Sequence, residues 1–370
     1  ERERERERER ETASAPALTR EESNRVSRRL KKMSHERLAG ANVELPSSSL
    51  LCNANKMIIS REHIDSLRAK FESLPNKTPD NQEILLELED NQQQPKEPSS
   101  TNGGAGGELV VEVAQLVIKS GAKNALSGRM MSQLTERLDQ LESWAMANNS
   151  SNTGEGRRLA RCLLIRGHGG TFCSGSDLIT ARHTTTNQLA GWELAQLMQY
   201  NLRRLAQLPL ISVAFIEGYA LGGGAELALA ADMRLMSGEA RLGFVHAKNG
   251  ICCGWSGGFR LVQLAGRARA LELMSSARLI GHQEAQQFGL CEQRADSLDE
   301  ALKFVRGHAI ESERTSAAVK LLVEETSSGS SSAELALQLE CKLFAATWGK
   351  EAHLRALDRN SKHYSSSSSK

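Results

Sequence analysis

Two stretches of this chain share one design, and that design narrows the folds open to it more than any other feature. In the first, Leu164-Ile165-Arg166 runs into Gly167-His168-Gly169-Gly170 and on through Phe172-Cys173-Ser174-Gly175-Ser176 to Asp177-Leu178. In the second, the apolar run from Ile211 to Ile216 passes through Gly218-Tyr219-Ala220-Leu221 into Gly222-Gly223-Gly224-Ala225-Glu226. Each reads as a buried strand, a turn of small residues and the start of a helix. Glycine adopts backbone angles closed to other residues and lets a ligand approach the main chain. A helix start leaves N–H groups without partners and carries the positive end of the helix dipole. Two such starts set side by side would aim two N–H donors at one oxygen, which is an oxyanion hole.

The surrounding pattern supplies the rest of the frame. Ile64, Leu67 and Phe71 recur at helical spacing within residues 61–74. Ser127 can cap a helix whose apolar positions are Met131, Leu134, Leu138, Leu141 and Trp144. Further helices are expected over 188–205, from the glycine triplet to about Ala231, and through most of the chain after Phe259, ending over 333–347. Short apolar runs over 84–88, 109–118, 159–165, 208–217 and 233–236 read as strands. Strands alternating with helices, then a helical tail, indicate an α/β fold with a largely parallel sheet.

The expected organisation is a low-complexity segment over 1–60, opening on Glu-Arg repeats, then a compact domain over 61–361 and a Ser-rich tail over 362–370. Residues 91–107, rich in Gln, Pro, Ser and Gly, read as a flexible insertion between two strands of one sheet.

Composition excludes several classes of function. The 370 residues carry a net charge of +2, which argues against a protein that holds nucleic acid by neutralising phosphates. The longest apolar run, over 208–216, is about half the ~20 residues needed to span a bilayer, so no membrane partner is expected. Seven cysteines without a Cys-x-x-Cys motif read as reduced thiols, and the histidines lack metal-ligand spacing, so no metal is expected. Reduced thiols fit a cytosolic location, which is the expectation, and because the chain begins at Glu1 rather than Met a mitochondrial one is left open.

The segments Phe172-Cys-Ser-Gly-Ser-Asp-Leu178 and Gly218-Tyr-Ala-Leu-Gly-Gly-Gly-Ala-Glu226 together resemble the crotonase (enoyl-CoA hydratase/isomerase) superfamily. Two further pieces agree in order and spacing: the Lys123-Asn124-Ala125-Leu126 turn, and the stretch from Gly250 through Gly254, Gly257 and Gly258 to Arg260-Leu261. The resemblance covers roughly residues 108–361. It implies a spiral of ββα units with a C-terminal helical region, assembled as a homotrimer or hexamer. It also implies an acyl-CoA substrate whose CoA serves in place of any separate cofactor. Carried over by position, the oxyanion donors are Ser176 and Gly223, and Glu226 is the first of the family's two catalytic glutamates. The residues implied to contact the CoA thioester are Lys123, Ala125, Ser174, Asp177, Leu178, Gly222 and Trp255. Asp177 also suits a helix cap, and Trp255 suits either an acyl pocket or simple packing.

The departures from the family pattern carry the choice of reaction. Hydratases of this superfamily hold and activate water with two glutamates, and the second position here is His246. Paired carboxylates would repel a substrate bearing its own carboxylate, because like charges ~4 Å apart cost on the order of 4 kcal/mol at an effective dielectric near 20. An imidazole tolerates that substrate and can donate a proton near neutral pH.

Decarboxylation of a malonyl-type thioester needs an oxyanion hole and a proton donor but no general base. Ser127-Gly-Arg-Met-Met131, Leu208-Pro-Leu-Ile-Ser-Val213, Phe244-Val-His246 and Ala346-Thr-Trp-Gly349 further resemble the superfamily's alkylmalonyl-CoA decarboxylase branch. That likeness implies ethylmalonyl-CoA and, more slowly, methylmalonyl-CoA as substrates, and a role in metabolite repair. Cys252-Cys253 stand where that branch has a hydrophobic-Pro pair, which touches the shape of the acyl pocket. Two alternatives within the superfamily remain at this stage: a hydratase or isomerase using Glu226, and a non-catalytic acyl-CoA-binding protein. A third comes from outside it, since Gly254-Trp255-Ser256-Gly257-Gly258 fits the Gly-x-Ser-x-Gly of α/β hydrolases, with Asp296 and His308 as partners.

Overall fold

Strands that are apolar on both faces need cover on both sides, and the central strands of this chain have it. The computed structural model describes residues 60–74, 82–88, 112–147, 160–185, 187–310, 312–327 and 333–358. The low-complexity segment (apart from Ser60), the insertion over 91–107 and the tail over 362–370 lie outside the described residues.

Ser60 caps the first helix, α1 (Arg61–Glu72), by accepting from the His63 N–H, and the helix buries Ile64, Leu67 and Phe71. Burial of three such side chains contributes about 2 kcal/mol each. Strands β1 (Glu83–Leu88) and β2 (Glu112–Lys119) pair antiparallel, with Glu83 opposite Lys119. Helix α2 (Gly128–Ala147) follows, with the Ser127 Oγ accepting from the Met130 N–H, and then comes β3 (Ala160–Gly167). Helices α3 (Leu178–Thr184) and α4 (Gln188–Gln207) lead to β4 (Ile211–Ile216). After β5 (Tyr219–Leu221) and the short helix α5 (Gly223–Ala228) comes β6 (Met233–Met236).

The principal sheet runs β1-β2-β3-β4-β6-β9, where β9 is Gln293–Arg294. All its pairings are parallel except β1 with β2. One face, through Leu116, Ile118, Leu163, Ile165, Ala214 and Ile216, packs with α1, α2 and α4. The other, through Val113, Leu164, Val213, Phe215 and Leu235, packs on Ala301, Leu302 and Val305 of α9 (Leu298–Gly307).

A second, three-stranded sheet joins β5, β7 (Arg241–Gly243) and β8 (Leu279–Ile280). Helices α6 (Gly257–Ala265), α7 (Arg267–Ser276) and α8 (His282–Gln287) surround it in the chain. The C-terminal region is α10 (Glu313–Ser327) and α11 (Ala333–Thr347), the latter with no buried residue. Among the described residues no helix is long and apolar enough to cross a membrane.

This is the expected α/β architecture, with two differences. The helix after the glycine triplet stops at Ala228 rather than near Ala231. Strands β5, β7, β8 and β9, of two or three residues each, are too short to display a period of two and were not anticipated.

A third feature has no signature in the sequence. Arg234, in the middle of β6, is buried, and its Nε donates to the Leu290 carbonyl. Its two terminal nitrogens donate to the Ala231 carbonyl and to the Glu292 carboxylate. The guanidinium thus closes the sheet between β6 and the segment entering β9. Arg234→Ala leaves two buried carbonyls without their donor and unpairs the partly exposed Glu292, and should lower the unfolding free energy by about 1–3 kcal/mol. Arg294→Ala, which removes an exposed pair with Asp296, should change it by less than about 1 kcal/mol. Urea denaturation of both variants checks the contrast.

Candidate active site

The two glycine-rich segments are laced together by main-chain hydrogen bonds. Phe172 N–H donates to the Glu217 carbonyl at 2.9 Å, Cys173 N–H to Tyr219 at 3.0 Å, and Leu221 N–H back to Cys173 at 2.9 Å. This short parallel ladder brings the turn before α3 against the start of α5. Gly175 sits at φ +97°, and a Cβ built there would lie 3.0 Å from the Gly223 nitrogen. A side chain at 175 would therefore separate the two segments.

On either side of Ser176, the Gly175 carbonyl accepts from Leu126 N–H at 2.8 Å and Asp177 N–H donates to Leu126 at 3.0 Å. The Gly222 N–H donates to Gly243 at 2.9 Å. Between these pinned groups, the N–H of Ser176 and that of Gly223, the first residue of α5, donate to no acceptor among the described residues. Two unpaired amides on touching segments are what an oxyanion hole requires.

Beside them lies a buried carboxylate. Glu226, in the first turn of α5, is 1% exposed. Its Oε2 accepts from Trp255 N–H at 2.8 Å and Gly257 N–H at 2.7 Å. Its Oε1 accepts from Gly254 N–H at 3.3 Å and pairs with His246 Nε2 at 2.9 Å. Ser256, held in the left-handed region at φ +72°, makes the turn that points these amides inward. A carboxylate offers about four lone-pair positions, and all four are taken. Glu226 therefore anchors the 254–257 loop and His246, with no lone pair left over to activate water.

His246 stands on a 3-10 turn, Val245–Asn249, that directly follows β7 and Phe244. Its Nε2 lies 3.9 Å from where a Gly222 side chain would begin, so the imidazole faces the start of α5. Its Nδ1 lies 3.3 Å from Cys253 Sγ. Burial, and then the nearby Glu226 carboxylate, push the Cys253 thiol up to about 12, so it stays protonated at neutral pH. Trp255 covers Gly223: a Cβ on Gly223 would meet the indole at 2.2 Å.

The remaining residues expected to contact the thioester gather at one rim. Ser174 N–H donates to the Lys123 carbonyl at 3.0 Å, joining the Lys123–Ala125 turn to the 174–178 segment. Lys123 is exposed, Ala125 and Ser174 are half-buried, and Leu178 is 75% exposed. Asp177 caps α3 by accepting from Thr180 N–H, which occupies one of its carboxylate oxygens.

Sequence reasoning missed Asn124, Ser256 and the contact made by Cys253. Asn124 is buried at φ +48°, accepts from Ser120 N–H and donates to the His168 and Thr171 carbonyls, which fixes the Lys123 turn. Asparagine inside a turn, a residue tolerant of that conformation, was the available signal.

Glu226, His246 and Cys253 each place a metal-compatible atom within 4.8 Å of the others. The two imidazole nitrogens face different partners, however, and Glu226 is fully engaged, so no single point receives all three as they stand. The hydrolase alternative is not supported. No strand enters Ser256, the Asp296 carboxylate accepts from Gly238 N–H and from Arg294, and His308 is bonded to the Phe304 carbonyl.

A parallel sheet carrying two laced glycine-rich turns and a helical C-terminal region defines a crotonase-fold protein. The chain belongs to the enoyl-CoA hydratase/isomerase family, whose profile matches residues 111–360. It is 40% identical over 245 residues to an ethylmalonyl-CoA decarboxylase of Gallus gallus, covering 65% of this chain and 77% of that one. The protein of the same name from Homo sapiens is 36% identical over 250 residues, covering 65% and 75%. Among solved structures, an enoyl-CoA hydratase from Bacillus anthracis aligns with a TM-score of 0.59 at 26% identity, covering 68% of this chain and 93% of that one. One from Thermoplasma volcanium aligns at the same score and 24% identity, covering 67% and 93%, and shares the fold.

Two variants test this geometry. Glu226→Gln keeps the shape but turns an NH2 group toward inward-pointing donors, and should cost about 2–4 kcal/mol of stability in chemical denaturation. Gly223→Ala drives a methyl into the Trp255 ring and should abolish turnover in protein that still folds, as followed by circular dichroism and steady-state assay.

Proposed function

We propose that this chain decarboxylates a short-branched malonyl-type CoA thioester, with ethylmalonyl-CoA and methylmalonyl-CoA as the substrates. The observation that carries the reading is the Glu226 carboxylate, held by three amides and His246 where a hydratase needs a carboxylate free to engage water. The names of the curated relatives support it independently.

In this mechanism the thioester carbonyl oxygen lies between the Ser176 and Gly223 amides. The bond between the α-carbon and the substrate carboxylate breaks, CO2 leaves, and the electron pair passes through the α-carbon to the carbonyl oxygen as an enolate. The two amides stabilise that oxyanion, each by about 3 kcal/mol. The enolate then collapses, the α-carbon takes a proton from His246, and the product is the saturated acyl-CoA. The imidazole regains its proton from solvent. One proton is consumed and one CO2 released per turnover. No cofactor is required, because the thioester carbonyl is the electron sink.

His246 suits the donor role because its Nε2 faces both Glu226 and the start of α5. The Lys123 turn and the 174–178 segment form the rim on which the CoA portion lies. Exposed Leu335, Leu337, Phe344 and Trp348 along α11 and the residue after it support association with further copies as a trimer or hexamer. The described cysteines are all free, which supports a reducing compartment such as the cytosol and the repair role proposed there.

The direct test is CO2 release by the purified chain from malonyl-, methylmalonyl- and ethylmalonyl-CoA, with hydration of crotonyl-CoA measured alongside. Release from the alkylated substrates is expected. Hydration with no CO2 from any of the three would sink the proposal. His246→Ala should lower kcat by about 10²–10⁴-fold while leaving KM nearly unchanged. Unaltered kcat would remove His246 as the donor.

A further inference from the structure

The partners of His246 decide which of its nitrogens carries the hydrogen in the neutral ring. A neutral imidazole has one N–H donor and one acceptor nitrogen. At Nε2 the partner is the Glu226 carboxylate, an acceptor whose other three positions are filled by main-chain amides. The hydrogen therefore belongs on Nε2, and Nδ1 must accept. The group within reach of Nδ1 is the Cys253 thiol, 3.3 Å away. Cys253 is itself held in place: its Cβ packs against Gly258 at the start of α6, and its S–H has two acceptors within reach, the nearer Nδ1 at 3.3 Å and the weaker Met274 Sδ on α7 at 3.8 Å. The thiol remains protonated at neutral pH for the reasons given above.

We propose that Cys253 is a positioning residue for His246: its S–H donates to Nδ1, holding the ring in the Nε2–H tautomer with that hydrogen directed at Glu226 and the start of α5. The catalytic value of this arrangement rests on the decarboxylase reading, in which Nε2 delivers the proton. The tautomer does not rest on it. Without the thiol, Nδ1 has no donor among the described residues, and only the Glu226 carboxylate is left to favour the Nε2–H tautomer and to hold the ring in place. A buried thiol with a strongly raised pKa usually reads as inert packing. Here the same low acidity keeps the hydrogen on sulfur, within reach of Nδ1.

The experiment uses the full chain with 15N-labelled histidine, in wild-type, Cys253→Ser, Cys253→Ala and Cys253→Val forms, the His246 signal being assigned by its loss in His246→Gln. Imidazole 15N shifts should report the Nε2–H tautomer in the wild type and in the Ser variant, whose hydroxyl also donates. Ala and Val should show a measurable population of the Nδ1–H tautomer beside the Nε2–H form. Val fills the space of the thiol without donating, so it carries the test if Ala leaves a cavity that prevents folding. In decarboxylation assays, kcat for the Ala and Val variants should fall by about tenfold or more, as removal of a supporting partner commonly does. KM should stay within about twofold, and Ser should restore most of the rate.

Retention of the wild-type tautomer in both Ala and Val overturns the proposal. So does an equal loss of rate in Ser, Ala and Val, which would mean that sulfur packing matters and donation does not. If the wild-type chain releases no CO2, the decarboxylase reading fails, while the 15N spectra still decide the role of Cys253.

Discussion

One buried carboxylate organises the functional half of this molecule. Glu226 carries a negative charge into a site where an isolated ion would be prohibitively expensive, and it is tolerated because donors surround it. Those donors come from one stretch further along the chain: the imidazole of His246 and three amides of the 254–257 loop. Removing the carboxylate would leave that loop without its anchor, and with it Trp255, whose ring backs Gly223. The position of the unpaired Gly223 amide thus depends, through Trp255, on the Glu226 carboxylate.

The same saturation separates two chemistries available to the fold. A carboxylate with free lone pairs can orient and deprotonate water. One bound on all four sides holds its neighbours in place and, in the mechanism we propose, leaves proton delivery to the imidazole. The family scaffold, the laced turns and the unpaired amides are common to both outcomes, so the distinction rests on a few side chains: Glu226, His246 and the thiol behind it. The departure at Cys252-Cys253, which looks in the primary structure like a disturbance of the acyl pocket, places Cys253 behind the imidazole and leaves Cys252 exposed.

Much of this was legible before any coordinates. The runs that became β3 and β4, the buried face of α1 and the cap at Ser127 followed from periodicity and residue type, because each is a local property. Both glycine-rich turns were readable for the same reason: only small residues permit such close main-chain approach, whereas the choice of Ser176 and Gly223 within them came from the family resemblance. The short strands β5, β7, β8 and β9 escaped because two or three residues cannot express a repeat. Arg234 escaped because nothing in a four-residue apolar strand announces that its one charge points inward to Glu292.

The sequence by itself determined the class of architecture, the existence of two helix starts rich in unpaired N–H groups, and the identity of the side chains around them. Tertiary structure decided what those side chains do. Asp177 spends a carboxylate oxygen on a helix cap, Glu226 becomes an anchor, and a cysteine seven residues from His246 becomes its partner. The reason is physical. Propensity and periodicity act over a few residues, whereas a hydrogen-bond donor is committed only when a distant segment arrives within about 3 Å of it.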